Sequence, residues 1–238
     1  MIADCVHVYR SDVSSLRSNA VELCDSSSVP ADLLICATGW ESSLSVFSPQ
    51  ERARLGLPVR VSEEPVAGAL DWQSLDTRAR KHVLQRFPGL ANSPPHFQRE
   101  RNTTPYRLYK SIAPLSDDHT IVFLGHIQVG NNFMAAESQA LWALAYLDGR
   151  LDLPTPEEMA WEVAVTNAWC QLRYLDKGWE GNFFYFDLVP YVDMLLDHVG
   201  FTSHRRSWLR TQTVPLMARE LKPLCQEYIE EVQGQGRR

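Results

Sequence analysis

Between Thr120 and Pro154 the chain reads as one strand–turn–helix unit. It opens on Ile121-Val122-Phe123-Leu124, an apolar run of strand length closed by Gly125. Polar residues His126, Gln128, Gly130, Asn131 and Asn132 follow, and then a long helix-forming segment. Within it Phe133, Ala136, Ala140, Leu144 and Leu147 recur at helical spacing. Asn131 or Asn132 suits the N-cap, and Gly149 stands where a left-handed residue closes a helix. In α/β proteins, ligands gather where a strand ends and the next helix begins, because unpaired N–H groups and the positive end of the helix dipole meet there. The same residues also suit an ordinary βα connection with no ligand, and both readings stay open at this point.

Composition narrows the function classes. The chain has 238 residues, enough for one large domain or two small ones. Its hydrophobic fraction of 45% and charged fraction of 22% are those of a globular protein. A net charge of -6 carries no basic footprint, which argues against a nucleic-acid partner. The five cysteines, Cys5, Cys24, Cys36, Cys170 and Cys225, are scattered without metal-ligand spacing, so neither a metal site nor a disulfide framework is expected. No apolar run approaches the roughly 20 residues that cross a bilayer, and the N-terminus lacks signal-peptide character. The expected location is cytoplasmic.

Taken in order, Cys5–Tyr9 and Ala20–Cys24 read as short strands, with a polar loop over Ser11–Ser18 between them. The continuously apolar Leu33–Ala37 has the pattern of a central strand covered on both faces. Ser48-Pro49 starts a short helix, and Leu70–Phe87 is helical, with Leu75, Ala79 and Val83 on one side. The basic residues Arg99, Arg101, Arg107 and Lys110 fit a solvated surface better than an anion site. Thr155-Pro156-Glu157-Glu158 is a capping box opening a helix that carries Met159, Val163, Thr166 and Trp169 inward. Asp187–Val199 and Thr213–Val232 are further helices, with a basic patch at Ser203–Arg210 between them.

Two ordered segments resemble the flavin-containing monooxygenases and related flavin-dependent oxidoreductases. The first is Asp32-Leu33-Leu34-Ile35-Cys36-Ala37-Thr38-Gly39-Trp40, similar to that family's strand ending in A-T-G-[FYW]. The second is Phe123-Leu124-Gly125-His126-Ile127-Gln128 with Glu137-Ser138-Gln139-Ala140-Leu141-Trp142, Gly149 and Leu153-Pro154, similar to the family's closing block. Met159 and Tyr191-Val192-Asp193-Met194-Leu195 continue the likeness, and Phe87-Pro88-Gly89-Leu90 with its insertion looks like fungal members.

The resemblance implies an α/β fold: the C-terminal part of a flavoprotein with two dinucleotide-binding domains, holding incomplete Rossmann-like units and a helical C-terminal region. It divides the chain into residues 1–40, closing strands of a nicotinamide-binding-like domain, and an insertion or linker over 41–110. Residues 111–154 then close an FAD-binding-like domain, and 155–238 form the helical region. FAD and NADPH are the implied cofactors, and one atom of molecular oxygen passes to a small organic substrate, in fungal members within secondary metabolism. Carried over by position, Thr38 and Gly39 would lie near the cofactor junction. Gly125, Gln128, Asn131 and Asn132 would face the flavin, with the α-helix dipole at Phe133 favouring negative charge on it.

The family's G-x-G-x-x-G cradles for pyrophosphate are absent: the glycines at 39, 56, 68, 89 and 125 are isolated. The expectation is therefore a chain that starts inside the nicotinamide domain and needs an N-terminal half, supplied by another chain, to anchor FAD. Three readings follow: such a monooxygenase, a non-catalytic truncated remnant or interaction module of that family, or an unrelated helical α/β binding protein. No catalytic residue is assigned. His126 reads as a structural donor in a turn, and Glu137 and Gln139 read as pairing within their helix. Trp161, Trp169, Trp179, Phe183, Phe184, Tyr185 and Phe186 suit core packing or the lining of a substrate pocket.

Overall fold

A small antiparallel meander comes first in the chain, and helices dominate the rest. The computed structural model describes residues 7–35, 43–64, 70–95, 101–116, 119–201, 221 and 223–235. It divides into a unit over Met1–Ser43 and a larger one over Leu44–Arg238.

In the first unit β1 (Val13–Arg17), β2 (Ala20–Leu23) and β3 (Ser28–Pro30) pair in that order, all antiparallel. The β1–β2 register sets Arg17 against Ala20 and Leu16 against Val21, with an irregularity between Val13 and Ser15. The β2–β3 turn is closed by Asp25, whose carboxylate accepts from the Ser27 N–H at 2.9 Å, while Ser26 takes a left-handed φ of 69°. Three sequence expectations need correcting here. Ser11–Ser18 is not a loop, because polar Val13–Arg17 finds a ladder partner in β2 and forms the exposed edge strand. His7–Tyr9, the described part of the first expected strand, is unpaired and exposed. Leu33–Ile35 is likewise exposed and outside any strand, since no neighbour runs beside it among the described residues; Cys36 and Ala37 lie outside them.

The second unit contains α1 (Pro49–Leu55), α2 (Trp72–Arg86), α3 (Asn132–Leu147), α4 (Pro156–Arg173), α5 (Leu188–His198) and α6 (Leu224–Gln235). The starts of α1 and α4 are complete capping boxes: Ser48 with Glu51, and Thr155 with Glu158, each followed by proline at the first helical position. Asn131 caps α3, its side chain accepting from the Met134 N–H at 3.4 Å, and Gly149 takes φ 64° just beyond the other end. The described part of the last expected helix is α6, from Leu224; residues 202–220, with the basic patch and the expected start at Thr213, lie outside the described residues.

Small residues let helices approach closely. Ala79 on α2 and Ala164 and Ala168 on α4 are buried where these two helices pack. The largest side chain in the core, Trp142 on α3, stacks on Tyr146 with ring centroids 5.3 Å apart and meets Tyr109 edge-on at 6.1 Å. Met134, Leu141, Val192 and Leu196 form a second cluster that receives Leu224 and Tyr228 of α6. The stripe Phe133, Ala136, Ala140, Leu144 and Leu147 is the outward face of α3, with Phe133 79% exposed. Its inward face holds Ala135, Ser138, Gln139, Trp142 and Tyr146.

The run Ile121–Leu124 is not a strand. Phe123 is buried against Phe47 at 5.9 Å and its N–H donates to Ile112 O at 2.8 Å, while Leu124 is exposed. The run plugs a gap among Leu44, Leu55, Leu57 and Leu108, and no strand lies alongside it among the described residues. The fold is thus mixed α/β, and its one sheet among the described residues is antiparallel.

Candidate functional site

Residues 125–132 keep the polar turn that the sequence suggested, and most of its backbone is committed. Gly125, at φ 75°, donates its N–H to Gln139 Oε1 at 3.0 Å. Gln128 forms a parallel bridge with Phe183: its N–H donates to Asn182 O at 2.8 Å and its carbonyl accepts from the Phe184 N–H at 2.9 Å. The Gln128 side chain is exposed. Asn131 is spent on the cap, while Asn132 and Phe133 are exposed in the first turn of α3. Thr38 and Gly39 lie outside the described residues. His126 is half-buried, its Nδ1 3.4 Å from the Tyr106 hydroxyl and its carbonyl accepting from Asn182 Nδ2 at 2.7 Å; burial lowers its pKa.

A cavity of about 270 Å³ opens in the helical unit, with Phe184, next to that bridge, in its lining. Its walls are Val83 on α2 and Phe87 just beyond it, Val163, Thr166 and Trp169 on α4, and Tyr191 and Met194 on α5. Leu108, Lys110, Ser111, Glu162 and Asp187 line it too, as do Phe184 and Tyr106, which contact Gln128 and His126. The α4 residues are the inward stripe expected from sequence; of the aromatic candidates, Trp169 and Phe184 reach the cavity, whereas Tyr185 and Phe186 are exposed. Trp169 is fixed by its Nε1–H, which donates to Asp187 Oδ2 at 2.9 Å. Asp187 also accepts from the Tyr174 hydroxyl at 2.6 Å and pairs with Arg173 at 3.1 Å.

Sequence reasoning missed the polar thread that holds this region together. Gln139 is fully buried and bonds outside its helix, contrary to the expectation that it pairs within it. It accepts from Gly125 and donates from Nε2 to the Tyr191 hydroxyl at 2.8 Å, and that hydroxyl donates to Lys110 O at 2.9 Å. Burial pushes the Tyr191 phenol well above its ordinary range, so it stays a neutral donor. Lys110 and Ser111 are consecutive non-glycine residues at φ 53° and 57°, a strained turn that the Tyr191 bond helps to hold. The one available signal was the pairing of glutamine with tryptophan three residues on, an unusual combination on an inward helical face.

The described basic residues are not a solvated surface. Arg101 pairs with Asp176 at 3.8 Å over the Trp179 ring, and Arg107 pairs with Glu64 over Trp72. Lys110 Nζ meets Glu162 Oε1 at 2.6 Å, and Arg99 lies outside the described residues. Each of these three cations pairs with a carboxylate and lies over an aromatic face.

His198, on α5, makes the stability of the fold depend on pH. Its Nδ1 accepts from Trp142 Nε1–H at 3.0 Å and its Nε2 lies 3.3 Å from Asp152 O. Burial lowers its pKa below the ordinary 6.5. A histidine with a depressed folded-state pKa favours the native state above the unfolded value, and that contribution is lost as pH falls below 6.5 towards the folded value. The melting temperature is therefore expected to fall between neutral and mildly acid pH. In His198→Gln the fall should be shallower, with the remainder due to His126; an unchanged slope in thermal melts would count against this account.

Among the described residues no group of three metal-ligating side chains converges, and no helix is long and apolar enough to cross a membrane.

Comparison with known proteins defines the class first: the chain is FAD-monooxygenase-like, a homologue of fungal proteins named FAD-dependent monooxygenases. One of these, from Aspergillus nomiae, is 36% identical over 207 residues, which is 85% of this chain and 36% of the relative. Another, from Pyrenophora dematioidea, is 36% identical over 206 residues, 84% of this chain and 37% of the relative. The protein DEP4 of Fusarium langsethiae is 31% identical over 212 residues, 85% of this chain and 36% of the relative. The chain thus spans about a third of the length of the curated relatives it matches. No family model matches it, and no solved structure does.

Proposed function

We propose that this chain acts in an FAD-dependent monooxygenase that uses NADPH and oxygenates a small organic molecule. The observation that carries this is the match to the Aspergillus nomiae relative over 85% of the chain. Bound FAD would supply the means of activating oxygen for transfer to the substrate. The residues present suit a contact with one edge of the flavin: the exposed Gln128 side chain and the open first turn of α3 at Asn132, with its positive dipole end. They do not make a pyrophosphate cradle, as the sequence has no G-x-G-x-x-G, so FAD is anchored mainly by residues from outside this stretch. Gly125 and Asn131 serve this site through the backbone, one tying the turn to Gln139 and the other capping α3. Thr38 and Gly39 approach the cofactor junction in this reading.

The test is to co-express the chain with the unmatched remainder of the Aspergillus nomiae relative and titrate the purified complex with FAD, following flavin fluorescence. Saturable quenching and bleaching on addition of NADPH are expected, with little binding by the chain alone. A complex that forms yet holds no flavin would leave the non-catalytic reading standing instead.

A further inference from the structure

The cavity beside the Gln128–Phe183 bridge is the feature that the proposed flavin contact does not use. Three independent observations meet there. Its lining is mostly apolar and its volume, about 270 Å³, suits a molecule of one or two fused rings. Two consecutive residues in left-handed conformation, Lys110 and Ser111, both line it. Such conformations persist only when their surroundings hold them, and Tyr191, itself a lining residue, does so through Lys110 O. Finally, the Lys110 side chain is only 9% exposed, while that of its partner Glu162 is 37% exposed. The ammonium is the inner member of the pair and the carboxylate the outer one.

A buried ammonium has three donor hydrogens, and Glu162 Oε1, at 2.6 Å, satisfies one directly. The Tyr109 ring, with its centroid 5.0 Å from Nζ, offers only its face. An oxygen anion entering the cavity would find a charge-assisted donor in a poorly hydrated setting, where such bonds are strongest. Glu162 would then compete with the ligand for Lys110, and its greater exposure lets it turn to water at little cost. Arg86, His82 and Asp187 also line the cavity; the first two are exposed on α2, and Asp187 is held by Trp169, Tyr174 and Arg173.

We propose that this cavity seats the organic substrate and that Lys110 anchors it, the substrate being a flat, largely apolar molecule with one acidic oxygen, as a carboxylate, phenolate or enolate. This rests on the monooxygenase reading for the word substrate; the binding itself does not need flavin. The location supports it, since Phe184 and Tyr106, which line the cavity, also contact Gln128 and His126.

The experiment uses β-naphthoate and its neutral counterpart β-naphthylmethanol, each titrated calorimetrically into the full chain without flavin. The naphthoate is expected to bind about tenfold tighter than the alcohol. Lys110→Met keeps the apolar stem and should abolish that preference while leaving the alcohol's affinity within about twofold. Glu162→Gln removes the competitor and should strengthen naphthoate binding several-fold, which a purely structural ion pair would not do. Equal affinity for the two probes, a preference that survives Lys110→Met, or no binding of either probe would each overturn the proposal. Should Lys110→Met fail to fold by near-ultraviolet dichroism, Glu162→Gln decides alone: unchanged or weaker naphthoate binding overturns it. Because no flavin is present, failure here is separate from failure of the FAD titration of the complex.

Discussion

Replacing Trp142 by alanine is expected to lower the unfolding free energy of the chain by about 3–5 kcal/mol. Trp142 is completely buried on α3, stacked on Tyr146 at an interplanar angle of 14° and edge-on to Tyr109. Truncation removes the apolar burial of a whole indole and leaves a cavity whose walls belong to α3, α5 and the Tyr109 turn, so collapse is hindered from three sides. It also strips His198 Nδ1 of the donor it has at 3.0 Å, leaving a half-buried acceptor to find water. Urea unfolding followed by far-ultraviolet dichroism measures the change directly. A loss under about 1 kcal/mol would mean that the stack carries little of the stability.

Gly178→Ala should be comparably damaging for a different reason, with an expected loss of about 3 kcal/mol or more. Gly178 ends the short turn that follows α4, and a β-carbon there would stand 1.9 Å from Cys170 O and 2.4 Å from its carbonyl carbon. Those atoms are helix backbone, so no side-chain rotation relieves the overlap. The turn must lift away from α4, and with it the segment that carries Gly181 and Asn182. Gly89→Ala is the matched control: a β-carbon at that position would meet nothing within 4 Å, and the change should stay within about 0.5 kcal/mol. The same denaturation series compares the two, and similar losses would show that crowding at Gly178 is not the cause.

Helix ends were legible in the sequence because their signals are local. Ser48 with Pro49, Thr155 with Glu158, Asn131 and Gly149 each act within four residues of themselves, and all occupy the expected places. Faces and sheets were harder, because they depend on what lies across the fold. Helix α3 is apolar nearly all round, so spacing alone could not say that Phe133 and Leu144 point outward while Gln139 is buried. Gln139 could be buried only because Gly125 and Tyr191, 14 and 52 residues away, both bond to it. The apolar run at Ile121 carries the pattern of a strand, yet pattern does not supply a neighbour to pair with. Of the candidate site, the turn at Gln128 and the α4 stripe of Val163, Thr166 and Trp169 could be read in advance. The Lys110–Ser111 turn could not, since neither residue type advertises a left-handed backbone.

The bond from Gly125 to Gln139 has a consequence for how the segment between them can vary. Exposed loops usually gain and lose residues freely over evolutionary time. Here the loop leaves Gly125, bridges Phe183 through Gln128, and enters α3 at a capped Asn131, and the helix then returns Gln139 to the starting point. One inserted residue before Asn131 would lengthen only the loop, but one inserted inside α3 ahead of Gln139 would turn its side chain by about 100° and cut the thread. Drift in length is therefore confined to a few positions on one side of the cap, although the surface nearby is open to water.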